Sequence, residues 1–214
     1  MTALILCIAI TALDLQPPPQ HLVLDEKRVF EVRANTPVIV AEPDRADVQI
    51  ALSALFDALE FELPVQVASD TKGREPAILV GEIGAHPAFE ERAHRRALSN
   101  LPTQSPEGYL LRIAQDGVLL AANTPQGTFR GVVTLTQIAR QSGDRWPCVE
   151  IRDQPALAIR AALFNRAPSE TDLDGLAVLR CNLVVFDCEG FQRLDADRAV
   201  PWRDVFAQAR ARHM

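Results

Sequence analysis

The sequence predicts an α/β protein in two parts. The first is an N-terminal α+β sandwich of helices on a mainly antiparallel sheet, and the second a run of β/α units on a parallel sheet. Three observations carry this. Asp116-Gly117 separates the apolar runs 109–113 and 118–122, a hairpin signal because a tight turn there needs positive φ. Val48, Leu52, Leu55, Phe56 and Leu59 recur at three and four residues, so they share one helix face. Beyond Asp153 the order becomes strand, helix, strand, helix, which calls for parallel pairing.

Residues 3–13, ALILCIAITAL, open the chain with an apolar run too short to span a bilayer. Its length fits a secretory signal, with Ala12 as a small residue for cleavage. No Lys or Arg precedes it and Ile10 suits cleavage poorly, so a buried first strand is the other reading. The signal reading makes the protein secreted or periplasmic. Pro17-Pro18-Pro19 reads as a stiff linker, so residues 1–20 are expected to be leader and linker.

The first domain is expected over residues 21–152. Val29, Glu31 and Arg33 alternate with Phe30 and Val32, a strand of period two. Asn35-Thr36-Pro37 is a turn and 38–41 a second strand. A helix opens at Asp44. Residues 63–68 and 77–81 read as strands, and Pro87 starts a helix to about residue 98. The hairpin follows, then a helix over 127–140 and an extended piece over 146–151, broken at 153–155.

Residues 153–214 form the second part. Residues 158–164 and 183–186 are apolar strands with little alternation, as when both faces are covered. Ser169-Glu170-Thr171-Asp172 resembles a capping box, so a helix runs from there to about residue 180. Pro201 begins a further helix with Trp202, Val205, Phe206 and Ala209 on one face. The sequence given ends at Met214, where a third strand is expected. Two such units cannot close a barrel of eight, so one strand edge and part of an apolar face should be open.

Composition excludes several function classes. Of 214 residues, 48% are apolar and 23% charged, the mix of a globular domain. The net charge of −6 and the absence of a basic run argue against nucleic acid. No stretch is long enough for a membrane span. Cys7, Cys148, Cys181 and Cys188 lack zinc-knuckle or redox spacing and read as buried free thiols. His21, His86, His94 and His213 are scattered, so neither a metal site nor a cofactor is expected.

Two stretches together carry a family resemblance. One is Glu107-Gly108-Tyr109-Leu110-Leu111, the hairpin, then GTFRGVVTLTQ over 127–137; the other is Ile151-Arg152-Asp153-Gln154-Pro155 followed by Arg160. They resemble the non-catalytic N-terminal domain of bacterial β-N-acetylhexosaminidases, glycoside hydrolase family 20, and its junction with the catalytic (β/α)8 barrel. The likeness covers roughly residues 22 to 214. It implies that 153–214 is the truncated start of a barrel and that the ligand is an N-acetylhexosamine-containing glycan. It also implies exo-action on terminal N-acetylglucosamine by substrate-assisted retaining hydrolysis. The family's catalytic Asp-Glu pair follows the fourth barrel strand, so this chain is expected to contain no catalytic residue and to be inactive alone. Departures are Ala161 where the family has Gly after the Arg, Asn165 for an Asp, and Val185 and Asp187 where His is common. They keep open another glycosidase with this N-terminal domain, such as an α-glucuronidase or an O-GlcNAcase-like hydrolase, and a non-catalytic carbohydrate module.

The candidate substrate-binding residues are Arg160, Asp187 and Glu189. The resemblance makes Arg160 the arginine that holds sugar hydroxyls, which a bidentate guanidinium suits; the alternative is a structural Arg paired with a carboxylate near the strand start. Asp187 and Glu189, at i and i+2 after the second strand, point the same way on an extended chain. They either face a site at the strand's carboxyl end or belong to a solvated acidic loop. Tyr109 and Trp146 could stack on sugar but sit in strand patterns and read as core.

Overall fold

The computed structural model describes residues 13–68, 76–95, 105–186 and 196–214. The candidates Asp187 and Glu189, the run 3–12, Cys7 and Cys188 lie outside them. A seven-stranded sheet is built from β1 (His21–Glu31), β2 (Val38–Val40), β3 (Val65–Val67), β4 (Ile78–Glu82), β5 (Tyr109–Ala114), β6 (Gly117–Ala122) and β7 (Arg145–Asp153). Its spatial order is β1-β7-β5-β6-β4-β2-β3. Helices α1 (Ala46–Leu59), α2 (Pro87–Arg95) and α3 (Pro125–Ser142) accompany it.

The expectation of a mainly antiparallel sheet is corrected. The pairings β1–β7, β7–β5 and β5–β6 are antiparallel, but β6–β4, β4–β2 and β2–β3 are parallel. The cause is the connection through α1: a strand–helix–strand crossover brings the chain back in the same direction. The hairpin is present with its turn one residue earlier than expected. Ala114 pairs with Gly117, so Gln115 and Asp116 form the corner. Gly117, the first residue of β6, follows at φ +142, a backbone conformation that side-chain-bearing residues rarely adopt.

Alternation along the central strands divides the core between the two faces. Val38, Val40, Ile78, Val80, Val118 and Leu120 join α1 and α3 on one side. Ile39, Leu79, Leu119 and Ala121 meet Phe89 and Ala93 of α2 on the other. Helix α3 is nearly engulfed, and two glycines let it lie that deep. A Cβ on Gly127 would stand 2.5 Å from the carbonyl oxygen of Gly108, and one on Gly131 would stand 2.8 Å from Leu120 Cδ1. Thr124 caps α3, accepting the Gly127 N–H at 3.2 Å, with Pro125 opening the first turn.

The stretch expected as a linker is pinned to α3. Gln137 accepts the Gln16 N–H and donates to the Gln16 carbonyl, both at 2.8 Å, and Gln141 does the same for Asp14 at 2.9 and 2.7 Å. Two glutamines one turn apart thus continue the backbone pairing that a proline-rich segment cannot supply for itself.

The second part holds β8 (Ala161–Phe164), α4 (Glu170–Val178), β9 (Leu183–Phe186) and α5 (Ala196–Ala211). β8 and β9 pair in parallel, as two successive β/α units require. Ser169 and Asp172 form the capping box reciprocally. The strands are not covered on both faces. Ala161, Leu163, Leu183 and Val185 alternate outward, leaving Leu163 70% exposed. The other face turns inward, where Phe186 meets Phe206 of α5 edge-on at 5.7 Å. Of the face expected on α5, Ala209 is buried but Phe206 is half exposed.

Candidate functional site

Where the seven-stranded sheet meets the β/α units, charged side chains are buried together. Glu107, in the turn before β5, is the hub. Its carboxylate accepts from Arg130 Nε of α3 at 3.2 Å, from Asn182 Nδ2 at the entry to β9 at 3.1 Å, and from Arg160 Nη2. Arg160 also donates Nε to the Arg180 carbonyl at 2.6 Å and Nη1 to the Leu157 carbonyl at 2.5 Å. Its backbone is tied to Asn182 in both directions, at 3.0 and 2.9 Å. Arg160 is therefore ion-paired with a carboxylate and oriented, whatever else it binds.

Beside it lies a second pair. Arg180, buried and with φ +59, donates Nη1 to Asp153 and Nη2 to Tyr109 Oη at 3.1 Å and Thr134 Oγ1 at 3.3 Å. Tyr109 and Thr134 hydroxyls share a bond of 2.7 Å, and the second Asp153 oxygen accepts the Gln20 N–H at 3.0 Å. Burial pushes the Tyr109 phenol up, against the opposing pull of Arg180. Arg130 is 1% exposed. Burial, the largest influence, pushes its guanidinium down to about 10; Glu107 opposes this, and Arg160 and Arg180 add to it. Both carboxylates are committed to guanidinium partners. That makes a clamp, whereas acid–base chemistry needs a carboxyl facing the reacting atoms.

A second cluster ties α5 to the first domain. Arg45 grips Asp47 with Nε and Nη2, both at 2.8 Å, and Glu82 with Nη1 at 2.9 Å. Thr128 donates to Glu82 at 2.7 Å, and His213 Nε2 meets Asp47 at 3.0 Å. Burial raises the Asp47 carboxyl, but His213 and Arg45 outweigh it and hold the group well below the usual carboxylate range.

Tyr109 and Trp146 are core, both essentially inaccessible. Among the described residues no group of three or more His, Cys, Asp or Glu could hold a metal, and no helix is long and apolar enough to cross a membrane. An open cleft of about 730 Å³ beside α1 is lined by Phe56 and Phe61 with Asp44, Asp57, Glu60 and Glu62. Those carboxylates are exposed, so water satisfies them. Sequence reasoning missed Glu107, Arg130, Arg180 and Asn182 as a cluster. The available signal was Arg130 itself, a charge between Phe129 and Gly131 on a helix with apolar residues all round.

The model of glycosyl hydrolase family 20, domain 2, matches residues 12–154. The chain belongs to this family. The family-20 domain thus contributes Glu107, Arg130 and Asp153, whereas Arg160, Arg180 and Asn182 lie beyond the matched span. Solved structures are similar over nearly the whole chain. CpGH84B superposes with a TM-score of 0.72 at 16% identity, over 95% of this chain and 36% of that one. The GH20 exo-β-N-acetylglucosaminidase from Vibrio harveyi, in complex with N-acetylglucosamine, gives 0.67 at 16%, over 94% and 35%. The Flavobacterium johnsoniae chitobiase FjGH20 gives 0.66 at 17%, over 94% and 33%. At these identities the likeness is one of fold. The chain spans about a third of the length of these structures.

Proposed function

We propose that the chain is the N-terminal part of a secreted or periplasmic exo-β-N-acetylhexosaminidase acting on terminal N-acetylglucosamine. The observation that carries this is the family-20 match over 12–154, followed directly by two parallel β/α units. In this reading β8–α4–β9–α5 is the start of a (β/α)8 barrel. The catalytic Asp-Glu pair comes from barrel sequence outside this chain, and the substrate acetamido group is the nucleophile. Arg160 contacts the sugar from the barrel floor, and Asp187 and Glu189 are the further candidate sugar contacts.

A second reading is another glycosidase sharing this domain, O-GlcNAcase-like or an α-glucuronidase. It draws support from CpGH84D and CpGH84B, which superpose with TM-scores of 0.76 and 0.72, above the two family-20 enzymes. The test is hydrolysis of 4-nitrophenyl N-acetyl-β-D-glucosaminide by the protein from its complete reading frame, beside the 214-residue chain. Turnover by the former and none by the latter supports an N-acetylglucosaminidase, family-20 or O-GlcNAcase-like, and release of terminal N-acetylglucosamine from chitobiose favours the first. A complete protein that cleaves only a 4-nitrophenyl glucuronide, or nothing, counts against it.

A further inference from the structure

Of the three acceptors that hold the Arg160 guanidinium, two are backbone carbonyls of its own β/α units, at Leu157 and Arg180, and move with it. The third, Glu107, belongs to the family-20 domain and carries the only charge of the three. A guanidinium has five N–H bonds in a rigid fork. Three are used here, and one on each Nη has no partner among the described residues. The side chain keeps 15% of its surface exposed, so these two protons are not sealed in. Arg130 donates to the same Glu107 oxygen as Arg160. Without that carboxylate the buried Arg130 guanidinium would face the half-buried one of Arg160 with no charge between them, and Arg160 would be driven from its place.

We propose that Glu107 is a positioning residue: it holds Arg160 in the one orientation that presents its two open N–H bonds to neighbouring sugar hydroxyls. The family-20 domain then acts on the sugar site through a single carboxylate. This rests on Arg160 being a sugar contact. Ground state and transition state present the same hydroxyls to such a fork, so misplacing it weakens both alike and is read in KM more than in kcat.

The test uses the protein from its complete reading frame and 4-nitrophenyl N-acetyl-β-D-glucosaminide as probe. Glu107→Asp keeps the charge and shortens the reach, so it is preferred to Glu107→Gln, which risks the fold. Expected is a KM raised about tenfold with kcat within about twofold, the size of one weakened charged hydrogen bond. Arg160→Ala raises KM as well, and the double variant is no worse than Arg160→Ala alone. Arg212→Lys, a buried arginine that does not touch Glu107, lowers the melting temperature without moving KM. Overturning results are a folded Glu107→Asp protein with unchanged KM, or a double variant whose losses multiply in full. If Arg160→Ala itself leaves KM unchanged, the sugar role of Arg160 fails. The hold on Arg160 is then judged by hydrogen exchange of its Nε–H. Exchange at least tenfold faster in Glu107→Asp upholds the positioning, and equal exchange overturns it.

Discussion

Asp153→Asn isolates what the buried pair at the junction is worth. The side chains of Arg180 and Asp153 are 5% and 2% exposed, so neither is helped by water. Asparagine keeps the shape and can still accept the Gln20 N–H, but it leaves Arg180 charged with only the Tyr109 and Thr134 hydroxyls near it, at 3.1 and 3.3 Å. Removing one partner of a buried ion pair costs about 3–5 kcal/mol, and the two hydroxyls place this case toward the lower end. For a chain of this length that is a fall of roughly 6–20 °C in melting temperature. The physics also predicts a rescue. Arg180→Met on top of Asp153→Asn removes the stranded charge while Tyr109 and Thr134 keep their mutual bond. The double variant should therefore be more stable than the single one. Urea unfolding at neutral pH, followed by tryptophan fluorescence and circular dichroism, reads both. Losses that simply add would refute the claim that an unpaired buried charge dominates.

Three other outcomes follow. Alanine at Gly127 or Gly131 gains helix propensity of about 1 kcal/mol but meets overpacking of about 1–3 kcal/mol; urea unfolding should show Gly127→Ala the worse, because its obstacle is a backbone carbonyl and not the end of a leucine. The Asp47 carboxyl is depressed in the folded state, so its contribution is complete above the unfolded value near about 3.9 and is lost as pH falls below it. Acid titration of stability should accordingly be shallower for Asp47→Asn than for the parent chain. The bare face of β8 and β9 should make the 214-residue chain self-associate, and Leu163→Glu with Val185→Glu should suppress it; sedimentation velocity over a concentration series checks this, and a parent chain that stays monomeric throughout contradicts it.

Elements with a clean period were legible in the sequence. Helix α1 declared itself through its leucines, and β9 and the β5–β6 hairpin through apolar runs with a turn between. The parallel half of the sheet was not drawn, although its strand–helix–strand order was visible. β2 and β3 have three residues each, too few to reveal a direction. β1 runs over 11 residues but looked shorter, because it is an edge strand paired on one side only and most of its residues are exposed. Arg160 was found through resemblance, and its carboxylate partner was foreseen only as a type. Glu107 lies 53 residues away in sequence, and no local rule connects the two. Charged clusters closed by tertiary contact leave no period to detect.

Arg130 has a mechanical consequence. Besides Glu107, its guanidinium holds the carbonyls of Cys181 at 2.7 Å and of Ala177 and His213 at 3.4 Å. Those three oxygens belong to the end of α4, the approach to β9 and the end of α5. The first domain thus grips each layer of the second with one hand. Peeling any single layer away takes one acceptor from a buried guanidinium that stays paired with Glu107, so release in small steps is penalised. The β/α units should open together or stay shut, and their amides should exchange with solvent as one block even though one face of β8 and β9 is already wet.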